Sequence, residues 1–100
     1  MSLPQSLRDA LTRRGALLSQ LQVQGTDCYR LFHGSQEGAA GLTIDRYGPQ
    51  LLVQSFHQPL EREALLELAE ICNQTLGLTL LLVYNDRSGG HSRIDRSDPL

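Results

Sequence analysis

The sequence predicts an α+β fold, a small mainly antiparallel sheet covered by two helices. Three observations predict it. Apolar residues recur at helical spacing near the N-terminus and again from Leu60 to Leu76. Short runs with the length and composition of strands fill the stretches between and after them. Along the chain the order is helix, three strands, helix, strand, and no internal repeat is visible.

The first helix is expected over Leu3 to Val23. Pro4 suits a first-turn position, where its missing N–H costs nothing, and Leu3, Leu7, Leu11, Leu18 and Leu21 follow at spacings near three to four or their multiples. Arg8, Arg13 and Arg14 fall on the polar side or its margin, and Gly15 weakens the helix by about 1 kcal/mol relative to Ala. Gly25-Thr26-Asp27 is turn material, and Cys28-Tyr29-Arg30-Leu31-Phe32-His33 has the aromatic enrichment of a strand.

A glycine-bearing loop, Gly34 to Gly41, leads to Leu42-Thr43-Ile44-Asp45-Arg46-Tyr47, which alternates apolar and polar as far as Arg46. Gly48-Pro49-Gln50 turns the chain into Leu51-Leu52-Val53-Gln54-Ser55-Phe56, so these two strands are expected to form an antiparallel hairpin.

The second helix starts near Pro59, with Glu61 and Glu63 in its first turn, where carboxylates favour the helix dipole. Leu60, Ala64, Leu68, Ile71 and Cys72 make its apolar face, with Leu65 and Leu76 on the flanks and Gly77 as C-terminal cap. Leu78 to Tyr84 is nearly continuous in apolar residues and reads as a strand buried on both faces. From Asn85 the chain is charged and rich in Gly and Ser, which reads as a mobile linker. The resulting division is an N-terminal helix over 1–24, an α+β domain over 25–86 and a linker over 87–100.

Composition narrows the function. One hundred residues, 40% hydrophobic and 20% charged, supply one modest core but not an additional nucleotide-binding α/β domain built from several βαβ units. The net charge of −2 gives no global attraction for phosphate. All nine basic residues are Arg, whose planar fork suits phosphate and stacks on bases, although codon usage accounts for the same bias. No N-terminal apolar run resembles a signal peptide and no segment approaches 18 apolar residues, so a cytoplasmic protein with no membrane contact is expected. In that reducing compartment Cys28 and Cys72 are expected to be small core residues.

His33, His57 and His91 lack metal-ligand spacing. Ser35, Ser55 and Ser88 lack a nucleophile-elbow context, and Asp86 to Gly90 lacks the ending of a phosphate-binding loop. The expectation is therefore no catalytic, cofactor-binding or metal-binding residue within this chain.

One block of sequence is more specific. Tyr29-Arg30-Leu31-Phe32-His33-Gly34, then Glu37 to Gly48, then Leu51-Leu52-Val53-Gln54 resembles the middle domain of class I, S-adenosylmethionine-dependent ribosomal-RNA cytosine-C5 methyltransferases of the large subunit. Gly41-Leu42, with Asp45-Arg46-Tyr47-Gly48, is the most specific part. Glu37 and Ala39-Ala40 stand where that family commonly has Asp and Leu-Pro. Tyr84 to Arg87 and Arg93 to Asp98 are similar to the segment that follows the domain.

The resemblance implies an accessory, substrate-positioning or RNA-binding domain that ends before the glycine-rich methyl-donor motif and the catalytic cysteine. S-adenosylmethionine is then the cofactor of the parent protein, with none held by this fragment. The implied partners are ribosomal RNA and an absent C-terminal catalytic domain. Arg30 and Arg46 on one sheet surface, with His33 and Tyr47 nearby, are the candidate RNA contacts, the guanidinium groups for phosphates and the rings for stacking. An Asp45–Arg46 ion pair holding the hairpin is the structural alternative for Arg46. At the level of function the alternative is a free-standing interaction module, such as a homodimerisation domain using its helix faces.

Overall fold

The structure, a computed structural model, describes residues 3–34, 41–87 and 93–97. Three described helices, α1 (Leu3–Arg13), α2 (Gly15–Val23) and α3 (Arg62–Leu76), accompany five strands. These are β1 (Cys28–His33), β2 (Leu42–Tyr47), β3 (Gln50–Ser55), β4 (Leu81–Asp86) and β5 (Arg93–Ser97). They form one sheet in the order β1-β2-β3-β4-β5. Only β3 and β4, joined through α3, run parallel; every other neighbouring pair is antiparallel. The fold is α+β.

Strand alternation divides the sheet into two unlike faces. Phe32, Ile44, Val53 and Tyr84 occupy one register row and Leu51 and Leu82 another, and all six are buried in the core. Leu7, Ala10 and Leu11 of α1, with Leu65, Leu68, Cys72 and Leu76 of α3, close that core from above. Leu52 and Val83 lie in the intervening row and belong to the opposite face, outside the core. No described helix packs on that far face.

The hairpin runs in unbroken register from Leu42–Ser55 to Tyr47–Gln50, as the alternation predicts. Helix α3 ends at Gly77, whose φ of 69° is the left-handed conformation that lets its N–H reach the Asn73 carbonyl. Leu65 is buried in α3 and Ala64 only half-buried, so the apolar face is rotated slightly from the predicted one. Leu82, Val83 and Tyr84 are consecutively buried, as expected of a strand buried on both sides, although no described helix covers the Val83 side. Two hydroxyls lie on the helix-covered face. Ser55 Oγ and Tyr84 Oη share a hydrogen bond of 2.5 Å, and the Leu60 N–H donates to Tyr84 Oη at 2.8 Å. That bond ties the approach to α3 onto the sheet.

Four expectations are corrected. The predicted helix over Leu3–Val23, the first of two, is two helices. At Arg14 the backbone leaves the helical region (φ −95°, ψ 4°), yet the Arg14 N–H still donates to Ala10 and its carbonyl accepts from Leu18. The interruption is therefore a kink. Arg14 Nη1 donates to the Leu31 carbonyl at 2.6 Å, and Leu31 is the extra residue of a bulge in β1. The kink thus places a cation on a carbonyl that the ladder has released.

The 87–100 linker is corrected at 93–97, which pair with β4 from Leu82–Ser97 to Asp86–Arg93. An edge strand is held by its backbone and needs few core side chains, so its composition gave no strand signal. Residues 88–92 and 98–100 lie outside the described residues. Leu78, Thr79 and Leu80 are not strand; the Leu78 N–H donates to the Asn73 carbonyl and the Leu80 N–H to Asn73 Oδ1. Finally, Cys28 is exposed, whereas Cys72 is buried as expected.

Candidate functional site

The four predicted RNA-contact residues do not share one surface. Arg30 pairs in register with Asp45, and both project onto the far face. Arg46, one residue further along β2, points the other way, as strand alternation requires. The expected Asp45–Arg46 pair is therefore corrected to Arg30–Asp45. Arg30 Nε donates to Asp45 Oδ1 at 2.7 Å and Nη2 to Oδ2 at 3.2 Å, a forked charge-assisted contact. The Asp45 carboxylate is buried while the Arg30 side chain is 45% exposed. The hydrogen bond to Asp45 raises the guanidinium pKa above its ordinary value and outweighs the lowering effect of burial, so Arg30 stays charged.

Arg46 is occupied internally. Its Nε donates to the Gly48 carbonyl at 3.0 Å and its Nη1 to Tyr29 Oη at 3.1 Å, with the guanidinium carbon 5.7 Å from the Tyr29 ring centroid. The hairpin turn is held by this side chain, through a carbonyl and a ring in place of a carboxylate.

His33 and Tyr47 are on the far face with Arg30. Tyr47, beside the hairpin turn, is 49% exposed and offers a ring for stacking. His33 lies at the other end of β1 in an open pocket of about 360 Å³, together with Arg30, Thr43, Gln54, Phe56 and His57. Sequence reasoning missed the last four. Thr43 and Gln54 pair with each other across the hairpin and Thr43 pairs with His33, so following the strand register across from His33 leads to both. Phe56 and His57 follow the end of β3, where no periodicity applies.

Two details of this pocket stand out chemically. His33 Nδ1 and Thr43 Oγ1 are buried and have no hydrogen-bond partner among the described residues. Each such atom costs about 1–3 kcal/mol unless something satisfies it. Gly41, with φ 85°, presses its backbone against His57, and a Cβ there would lie 2.8 Å from the imidazole Cγ and Nδ1. The Arg87 guanidinium lies over the Phe56 ring at 5.3 Å.

Among the described residues, the parallel crossover lacks a glycine-rich loop of the kind that cradles an adenosyl cofactor. The β3–α3–β4 unit is the described parallel crossover, and its loop, Phe56-His57-Gln58-Pro59-Leu60-Glu61, has no glycine to bring a backbone near a ligand. An acidic residue, Glu61, stands at the N-terminus of α3. Among the described residues no group of three or more His, Cys, Asp or Glu is placed to hold a metal ion. No described helix is long and apolar enough to cross a membrane. No family model matches this chain, and no curated protein matches it.

Proposed function

We propose that this chain is an accessory domain that positions RNA in a cytoplasmic S-adenosylmethionine-dependent methyltransferase, with methyl transfer carried out by a separate catalytic domain that binds the methyl donor. The observation that carries this reading is the far face of the sheet. It has no described helix on it and presents Arg30 between His33 and Tyr47, which stand at opposite ends of the β1–β2 pair. A guanidinium with an exposed outer edge and a half-exposed phenol are the groups that anchor a phosphate and stack an unpaired base. The resemblance of the Gly41–Gly48 block supports the methyltransferase context, because that block is β2 with its flanking glycines.

Arg46 has no part in this contact, being turned to the other face. RNA affinity measured against salt tests the assignment. Arg30→Ala should weaken binding of a ribosomal-RNA hairpin and reduce the salt slope by about one unit, whereas Arg46→Ala should leave both unchanged. Equal effects of the two substitutions, or none from either, would remove the far face as the RNA surface. A second reading, a homodimerisation module, draws on α2, where Leu17 is 53% and Val23 88% exposed. Sedimentation of the chain as a monomer at high micromolar concentration, with RNA binding retained, would leave only the first.

A further inference from the structure

We infer that the pocket at the His33 end of the hairpin is an oxyanion site that takes a phosphate group. The inference rests on the pocket's own donors and not on the methyltransferase reading. Its chemistry is one-sided. Gln54 lines the pocket, and its Oε1 already accepts from Asn85 Nδ2 at 3.2 Å, which leaves its NH2 group as the donor for a ligand. Thr43 and His33 line the pocket, and the Thr43 hydroxyl and the His33 Nδ1 atom are buried without a partner among the described residues. Arg30 uses Nε and Nη2 on Asp45, leaving Nη1 as a charged donor.

The acceptor side is nearly empty. None of the described lining residues is acidic, and the Asp45 carboxylate behind the pocket is neutralised by Arg30. A second guanidinium, that of Arg87, stands at the Phe56 wall. In a chain of net charge −2 this is a local concentration of hydrogen-bond donors. A ligand with several acceptor oxygens and negative charge satisfies Thr43, Gln54 and Arg30 together, and a nucleobase edge, with its mixture of donors and acceptors, fits them less well.

Gly41 and His57 give the pocket its shape. The imidazole rests where any Cβ at position 41 would collide, so Gly41 and His57 pack closely at the pocket wall. The phosphate could belong to an RNA backbone or to a free phosphorylated metabolite, and the test separates the two.

Inorganic phosphate titrated into the 15N-labelled chain at constant ionic strength, with chloride as the balancing anion, should give saturable shifts. They should appear at the backbone N–H groups of Thr43 and His33 and at the Gln54 side-chain amide. Thr43→Val, which keeps the shape and removes the hydroxyl, should weaken phosphate about tenfold, as expected for one hydrogen bond to a charged group. Gln54→Leu should do the same while Gln50→Leu, at the other end of β3, should not. A short oligoribonucleotide that displaces phosphate assigns the site to the RNA backbone, whereas phosphate binding without displacement assigns it to a free ligand and leaves the RNA proposal to stand or fall on Arg30. Linear shifts without saturation, or equal affinity in Thr43→Val, Gln54→Leu and the parent chain, would overturn the oxyanion site.

Discussion

Arg30 and Arg46 belong to neighbouring strands of one small sheet and are held in unlike ways. On the helix-covered face Arg46 spends its donors on the Gly48 carbonyl and the Tyr29 hydroxyl and closes a turn. On the far face Arg30 clamps a buried carboxylate with one edge and keeps 45% of its side chain exposed. The difference follows from which side of the pleat each residue meets. Beneath the helices, polar groups are fully committed, as with Ser55, Tyr84 and the Leu60 N–H. Around the far-face pocket some are not, as with His33 Nδ1 and Thr43 Oγ1. One face of the sheet is finished by its own fold, and the other presents groups that a ligand can complete.

Truncation on the two faces should break this comparison most sharply. Phe32→Ala removes a fully buried ring from the core and should cost about 3–5 kcal/mol in urea unfolding. Leu52→Ala, half-buried on the far face, should cost about 1 kcal/mol. Similar losses would mean that the far face is packed as tightly as the core.

The arginines give the next largest contrast. Arg30→Ala strips both donors from a buried carboxylate and should destabilise by about 1–3 kcal/mol. A companion Asp45→Asn substitution should recover part of that loss, because the uncompensated charge is then gone. Arg46→Ala loses hydrogen bonds that water can partly replace and should cost about 1 kcal/mol, with no recovery from Asp45→Asn. Recovery of Arg46→Ala by Asp45→Asn would restore the Asp45–Arg46 pair that sequence proximity suggested.

Much of this fold was legible because local rules agreed with the tertiary outcome. The alternation through Leu42–Arg46 and Leu51–Ser55 encodes the hairpin and its inward row, and Gly77 marks the end of α3. What escaped depends on partners distant in sequence. The kink at Arg14 answers a carbonyl freed at Leu31, and β5 exists because β4 offers it an unpaired edge. The bulge at Leu31 also sets the register that brings Arg30 beside Asp45, and nothing in the hexapeptide itself announces it. The candidate site was half legible. Arg30 and His33 belong to it, and the alternation along β2 turns Arg46 away from them. His57 joins the pocket only because Gly41 lets its ring close in.

The two thiols provide the mildest probe of the same asymmetry. Cys28 shares the far-face register with Tyr47 and Gln50, is exposed, and has its Sγ 3.5 Å from Asp27 Oδ1. Cys72 is buried in α3 against the covered face, and desolvation pushes its pKa up to about 12. Alkylation needs both access and thiolate, and at pH 8 Cys72 has neither. Iodoacetamide should therefore label one thiol per native chain and two in urea, with Cys28 modified by peptide mass. Cys28→Ser should abolish native labelling and shift stability by no more than about 0.5 kcal/mol, as for other exposed positions. Native labelling of Cys72 at a rate near that of Cys28 would mean that α3 opens from the sheet readily, and the covered face would lose its claim to be the finished one.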